Sequence, residues 1–316
     1  MKLILYGHTA CEWWARTQAR GQAANFANDC MLCDCSPTAA SLEYLGRVAP
    51  FLEKPYHVLV PDPSMRRTLN SAIVHVSQFA YPSGSFTAVE NGLYASSPEL
   101  AFLQVSGDVH AGIASGCNVV KEGYALCGSF LLSQTACMGI SERVPLTSQM
   151  KIKLFIEQLV GHRDAKRALR LAGYILDGSA SPRESDLAMR LSLPYGMGGF
   201  NLKGLKMNHR VDLRARSRSI ARKQYHVVDV CWPEKRLAVE YDSDAAHLNS
   251  DQLMFDAIKR SALEAEGYKV IVVTRRQLDN PDEMFKIARQ IGYRLGVRVR
   301  PQVKGFADLQ RRLYSI

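Results

Sequence analysis

The sequence has no apolar run close to the roughly 18 to 20 residues that a membrane-spanning helix needs. The apolar letters LILY at residues 3–6 are too few for the hydrophobic segment of a secretory signal peptide, and an ordinary strand accounts for them. Internal repeats, low-complexity tracts and a long disordered linker are also missing. These absences predict a cytoplasmic protein that has no membrane partner.

The eight cysteines lack the two separated ligand pairs of a typical zinc-binding domain. Cys30, Cys33 and Cys35 lie close together in CMLCDC and could bind zinc together with Cys11. Structural zinc sites usually combine two separated pairs of ligands, and the sequence shows no second pair. Reduced, buried thiols are therefore the favoured interpretation and a metal site is the alternative, because unpaired cysteine is commonly part of a protein core.

Lysine and arginine are few in the first half of the chain and concentrated in the second half. The net charge of +10 divides into −2 for residues 1–150 and +12 for residues 151–316. Such a basic surface suits a nucleic-acid partner, with DNA favoured, because phosphates attract lysine and arginine. A solvated basic face that only improves solubility is the alternative.

At 316 residues the chain is long enough for two domains, and strand-like and helix-like segments in both halves predict an α/β (α+β) fold. A helical connector ends near Asp-Gly-Ser at residues 177–179, so we expect domains of residues 1–176 and 177–316. A recognition or regulatory role is open for the first domain, where no residues have catalytic spacing. Its histidines stand apart in the sequence, as surface or core histidines usually do: His8, His57, His75 and His110.

The second domain is organised around two neighbouring strands that carry acids. The segments 226–232 (HVVDVCW) and 237–242 (LAVEYD) are rich in β-branched and aromatic residues, and the letters PEKR between them predict a tight turn. Asp229 lies in the first strand, whereas Glu240 and Asp242 lie in the second.

These acids stand where a buried strand prefers aliphatic side chains, and an unpaired buried charge is costly. Asp229 and Glu240 can meet across the hairpin, and Asp242 shares a face with Glu240 because side chains alternate along a strand. The pattern predicts an oxygen-lined pocket in which Asp229, Glu240 and Asp242 hold a hard divalent metal, Mg²⁺ or Mn²⁺. The alternative is that the acids form buried ion pairs with nearby arginines.

The surrounding elements follow the order helix, three strands, helix, strand, helix, which predicts a mixed sheet flanked by helices. A basic segment precedes the acid-bearing hairpin, and we expect it to be a flexible loop that grips a nucleic-acid backbone. Its basic residues are Arg214, Arg216, Arg218, Arg222 and Lys223.

This order of elements and acids resembles the PD-(D/E)XK restriction-endonuclease-like superfamily and, within it, the branch related to very-short-patch repair (Vsr-like) endonucleases. The likeness covers roughly residues 179–296. The features that recur in order are Glu184, Val228, Asp229, Glu240, Asp242, His247, Asp256, Arg260 and Gly267. The first domain is loosely similar to the amino-terminal regions of abortive-infection antitoxin-type regulators.

Two positions depart from the pattern of that superfamily. Asp242 stands where the superfamily usually has a lysine, two residues after the second acid. That replacement removes the expected cationic partner of the nucleophile. Ser243 stands where a glycine often follows. Both departures bear on whether the pocket still cleaves.

The resemblance implies metal-dependent hydrolysis of a phosphodiester bond. The residues it places in or beside the catalytic pocket are Asp229, Glu240, Asp242, His247 and Glu184. For Glu184 a second explanation is complete in itself: Ser181 begins a capping box in which Glu184 reaches back to the Ser181 amide. His247 is either a general acid or base, or a surface residue at the start of a helix.

Two basic residues on the helix after the acids also have alternative roles. Lys259 and Arg260 at the edge of the sheet could bind nucleic acid and stabilise charge on the phosphate under attack. Arg260 could instead pair with Asp256, four residues earlier on the same helix.

The leading hypothesis is a metal-dependent DNA endonuclease or nickase that acts in defence or repair. The alternative is a non-catalytic, DNA-binding regulator of the antitoxin type that keeps a degenerate nuclease domain. The arrangement of the acids separates the two, because converging oxygens favour the enzyme, whereas carboxylates engaged by arginine favour the regulator. A protein partner and a homo-oligomer both stay open.

Overall fold

The structure, a computed structural model, describes residues 2–18, 35–110, 112, 115–133, 140–242 and 250–316, apart from the side chains of residues 110 and 250–253. It consists of two compact units, Met1–Ile175 and Leu176–Ile316, where the sequence predicted a boundary between residues 176 and 177. Both units combine helices with β-sheet, so the expected α/β (α+β) class is confirmed. No helix within the described ranges is both long and apolar enough to cross a membrane.

The first unit is built on a five-stranded mixed sheet in the spatial order β3-β2-β1-β5-β4. Its strands are β1 (Leu3–Leu5), β2 (Tyr56–Val60), β3 (Ala72–Val76), β4 (Phe86–Glu90) and β5 (Leu93–Ser96). All three residues of the central strand β1 are buried, which explains why its sequence is apolar throughout.

The helices described in the first unit are α1 (Gly7–Arg16), α2 (Ala39–Val48), α3 (Pro98–His110), α4 (Gly116–Cys127), α5 (Gln149–Glu157) and α6 (Ala165–Ala172). A short hairpin is formed by β6 (Phe130–Leu131) and β7 (Ser141–Glu142). Helix α3 is enclosed by the unit, since consecutive residues from Leu100 to Leu103 are buried around its circumference.

The second unit has a four-stranded sheet in the order β11-β10-β9-β8, with the first pair parallel and the others antiparallel. Its strands are β8 (Lys206–Asp212), β9 (Tyr225–Trp232), β10 (Leu237–Asp242) and β11 (Lys269–Thr274). Its described helices are α7 (Pro182–Ser192), α8 (Ala215–Ala221), α9 (Ser250–Ala265), α10 (Arg275–Leu278), α11 (Pro281–Leu295) and α12 (Phe306–Tyr314). The predicted mixed sheet flanked by helices is therefore present.

The basic segment before the acid-bearing hairpin is not a flexible loop, so that expectation was wrong. It forms helix α8, and the small residues Ser217 and Ala221, four apart and therefore on one face, are buried. Ala221 packs with Leu213 and with Ala262 of helix α9. This buried face provides the packing that a short helix needs, and the two arginines of the helix, Arg216 and Arg218, stay at the surface.

The hairpin of β9 and β10 turns at the predicted PEKR letters. Pro233–Lys235 forms one turn of 3₁₀-helix, and Arg236 follows in the left-handed region with φ of 46°. Val230 pairs with Val239 across the antiparallel ladder. In that register the next opposed positions are 229 and 240, which puts the two acids on the same face of the sheet.

Candidate active site

Asp229 is fixed by the strand that carries the second acid. Its Oδ2 accepts a hydrogen bond of 2.7 Å from the backbone N–H of Tyr241 in β10. The carboxylate thus takes a main-chain donor next to the point where regular pairing between β9 and β10 ends. The contact holds Asp229 directly beside Glu240, the neighbour of Tyr241 along the chain.

Glu240 is held by a lysine from helix α9. Lys259 Nζ donates to Glu240 Oε2 at 2.7 Å, and both side chains are largely buried. The other carboxylate oxygen, Oε1, is buried and has no hydrogen-bond partner among the described residues. A buried acceptor without a donor is costly, so this oxygen is open to a cation or a donor from a ligand.

Burial changes the protonation of both acids. Burial, helped by the nearby charge of Glu184 and opposed by the hydrogen bond from Tyr241, raises the pKa of Asp229 to about 6. Burial also raises the pKa of Glu240 to about 7, with Asp229 adding to the rise and Lys259 opposing it. Two carboxylates that repel each other in a site of low polarity hold a proton near neutral pH.

Glu184 caps helix α7 and also faces the acid pair. Ser181 Oγ accepts from the Glu184 N–H at 3.1 Å, as a helix cap does. The returning bond differs from the expected one, because Glu184 Oε2 accepts from the Ala180 N–H at 3.0 Å and not from the Ser181 amide. The same oxygen accepts from Asn208 Nδ2 at 2.6 Å. Glu184 is therefore a helix cap whose charge also influences Asp229.

Two other predicted members of the site have different outcomes. Asp242 ends β10, where it is paired in register with Thr274 of β11. His247 lies outside the described residues. Within the described part of the chain, no three or more His, Cys, Asp or Glu side chains form a group arranged to hold a metal ion. The three-acid ligand set therefore stays a prediction, and the structure brings together two of its members, Asp229 and Glu240.

The acid pair fits a hard divalent cation on two observations. Glu240 Oε1 is a buried acceptor without a described donor, and both acids have a raised pKa because their charges are poorly compensated. Mg²⁺ commonly binds through only one or two carboxylates and keeps several waters. Asp229 and Glu240 would hold such an ion.

The predicted nucleic-acid contacts fall into two groups. Exposed residues at the surface around helices α8 and α9 are Arg214, Arg216, Arg218, Arg222, Lys223 and Arg260. Arg218 Nε donates to the Leu213 carbonyl at 2.6 Å, which anchors one of them to the fold. Lys259 is instead a member of the site, because it bonds Glu240. Lys259 was predicted to contact nucleic acid, and its bond to Glu240 was not predicted.

A cluster of histidines in the first unit was also missed. The Nε2 of His8 lies 3.0 Å from Asp108 Oδ2, and His57 Nδ1 lies 3.1 Å from His75 Nε2. The His75 ring stacks on Tyr6 with centroids 4.0 Å apart. For His8, His57 and His75 the expectation that they stand alone was wrong, because they come from separate elements that only the fold brings together. The side chain of His110 lies outside the described residues.

The cysteine group of the first unit is only partly described. Cys11 and Cys35 are buried, whereas Cys30 and Cys33 lie outside the described residues.

Comparisons of the chain with protein-family models, with curated proteins and with solved structures found no match.

Proposed function

We propose that the second unit is a PD-(D/E)XK-like domain of the Vsr-like branch and that the protein is a metal-dependent DNA endonuclease or nickase acting in defence or repair. The observation that carries this proposal is the acid pair, in which Asp229 and Glu240 occupy opposed strand positions beside Lys259. Buried acids of raised pKa on one sheet face are typical of functional sites.

Mg²⁺ or Mn²⁺, when bound, would polarise the phosphate and the attacking water. Asp229, which the Tyr241 amide fixes, and Glu240, whose Oε1 has no described donor, would provide carboxylate oxygens for the ion. Lys259 provides a cationic donor at the acids, where Asp242 stands in place of the usual lysine. A lysine supplied by helix α9 supports hydrolysis even though Asp242 occupies the position of the usual lysine.

The surface charge supports a nucleic-acid substrate. Helix α8 packs against helix α9 through Ala221 and Ala262, so the exposed arginines of α8 and the site lysine of α9 belong to one packed pair of helices. Arginine and lysine contacts to phosphates position a nucleic acid without reading its sequence. The basic surface would therefore hold the backbone while the acid pair acts on one phosphate.

The non-catalytic DNA-binding regulator is kept as a second candidate on one observation. Glu240 already bonds Lys259, and no three-donor metal group is present in the described ranges. Among the described residues no arginine holds either acid of the pair, and engagement by arginine was the arrangement expected for the regulator. A worn site that retains its ion pair as a structural contact accounts for these features.

Plasmid nicking separates the two candidates. Supercoiled DNA is incubated with Mg²⁺ or Mn²⁺ and the wild-type chain, Asp229→Asn or Glu240→Gln, and the matched control is Glu234→Gln in the exposed turn of the same hairpin. We expect both site variants to lose about 100-fold or more in nicking rate, because metal ligands and their orientation are disrupted, while the control keeps its rate. Equal nicking by all four proteins, or none by any, would remove the enzyme and leave the regulator.

A further inference from the structure

An open cavity of about 540 Å³ lies beside the acid pair in the second unit. This volume is within the range of about 300 to 1,000 Å³ found for ligand pockets. The residues that line it are Lys223, Gln224, Tyr225, His226, Val227 and Lys259. Since Lys259 also bonds Glu240, one side chain belongs to both the cavity and the acid site.

An exposed aromatic ring forms part of the cavity. Tyr225 is 43% exposed and Val227 is 38% exposed, and the two share a face of β9 with Asp229 because side chains alternate along a strand. The guanidinium of Arg210 lies 4.1 Å from the centre of the Tyr225 ring and is held there by a 2.8 Å bond to Asp212. Aromatic rings backed by arginine are the common platform for stacking bases of single-stranded nucleic acid.

A buried imidazole supplies a polar group without a partner. His226 is only 8% exposed, and its Nε2 is buried with no hydrogen-bond partner among the described residues. Burial lowers its pKa, and the charges of Lys259 and Lys223 lower it further, so the ring is neutral at physiological pH. A neutral imidazole has one donor and one acceptor nitrogen, and the alternation along β9 places this ring on the opposite face of the strand from Tyr225.

We propose that this cavity binds one unpaired nucleotide of a single-stranded nucleic acid, with the base on Tyr225 and the phosphate on Lys223 and Lys259. Tyr225 is four residues from Asp229, or about 13 Å along the strand, so the nucleotide would lie a short distance from the phosphate under attack. The inference rests on the proposed function for the class of ligand. It adds that the preferred substrate has an unpaired strand next to the cleavage position.

The first test is binding of labelled single-stranded DNA and of the same strand in a duplex, measured by fluorescence anisotropy with the full chain and a chelator. Base stacking contributes roughly 1–3 kcal/mol per base, so Tyr225→Ala should weaken single-strand binding about 5- to 150-fold and duplex binding much less. The matched control is Tyr293→Ala, which removes a tyrosine that is 83% exposed on helix α11. Tyr225→Phe keeps the ring and should bind as the wild type does.

The second test leaves the protein unchanged and removes the base. A strand with an abasic backbone should bind the wild-type chain more weakly by the factor seen for Tyr225→Ala, and Tyr225→Ala should then lose nothing further. Unchanged binding in Tyr225→Ala, or an equal loss for single strand and duplex, overturns the proposal. If Tyr225→Ala binds single strands more weakly but nicks plasmid at the wild-type rate, the proposal is also overturned. If the wild-type chain binds single strands through Tyr225 but nicks no plasmid, the proposal is supported and only the hydrolytic function is refuted.

Discussion

Each unit of this protein brings buried titratable side chains together, but the two groups differ in charge and in origin. In the second unit, acids on adjacent strands have a raised pKa because burial disfavours two negative charges. In the first unit, burial lowers the pKa of His57 and brings that of His75 to about 4. The acid pair therefore holds a proton that the unfolded chain would release, while these histidines release one that the unfolded chain would hold.

The two groups also differ in what surrounds them. The acid pair lies in a unit whose half of the chain carries a net charge of +12, and a lysine enters the site itself. The histidine cluster lies in the half with a net charge of −2, and its closest acid, Asp108, faces His8. An acid site that contains a lysine suits a phosphate ligand, whereas in the histidine cluster a carboxylate, that of Asp108, lies against His8.

The largest effect that would sharpen this comparison is expected from Lys259→Ala. Without the ammonium group, Glu240 has no positive partner, so nicking should fall about 100-fold and the free energy of unfolding at pH 8 should fall by about 1–3 kcal/mol. At pH 5 the loss of stability should be smaller, because Glu240 then takes up a proton. Plasmid nicking and urea unfolding at both pH values measure these effects.

Lys286→Ala is the matched control for that change, since Lys286 forms an exposed pair with Glu283 on helix α11. Exposed pairs contribute little, so this variant should behave as the wild type. If both lysine variants lose the same stability, the ion pair of Lys259 with Glu240 contributes no more than an exposed ion pair does.

The next effect concerns the acids themselves. Between about pH 4 and 7 the folded pair binds more protons than the unfolded chain, so the wild type should lose stability as the pH rises through that range. Glu240→Gln removes one of the repelling charges and should be more stable than the wild type by about 1–3 kcal/mol at pH 8, with a flatter dependence on pH. Urea unfolding from pH 4 to 8 measures the difference.

Glu234→Gln, in the exposed turn, controls for removing a negative charge anywhere in the hairpin. If the stability of Glu240→Gln depends on pH in the same way as that of the wild type, burial does not raise the pKa of Glu240.

A smaller effect of opposite sign is expected in the first unit. His75 has a folded pKa of about 4, so its neutral state contributes stability above about pH 6.5 that is lost as the pH falls toward 4. His57 acts in the same direction, whereas pairing with Asp108 raises the pKa of His8 and acts in the opposite one. His75→Phe should keep the stack on Tyr6 and retain about 1–2 kcal/mol more stability at pH 4.5, relative to pH 7.5, than the wild type.

Unfolding of the wild type and of His75→Phe is compared at the two pH values, so that acid effects shared by both proteins cancel. Identical losses on acidification would mean that His75 is protonated as readily in the folded state as in the unfolded one.

Much of the second unit could be predicted from local patterns. The turn at PEKR and the alternation along the strands correctly indicated that Asp229 and Glu240 share one face. The basic helix α8 was misread because its charges suggested a loop, although Ser217 and Ala221 already had the spacing of a buried helical face. The return bond of Glu184 also differed by one residue, since cap geometry depends on the exact path of the preceding backbone.

The sequence by itself determined the strands, the shared face of the two acids and the unequal charge of the two halves. These features depend on neighbours along the chain or on composition alone. Only the tertiary structure decided that Lys259 bonds Glu240 and that His8, His57 and His75 gather near Asp108. The physical reason is that such contacts join residues far apart in the chain. They therefore depend on how helices pack on the sheet and on the spatial order of the strands within it.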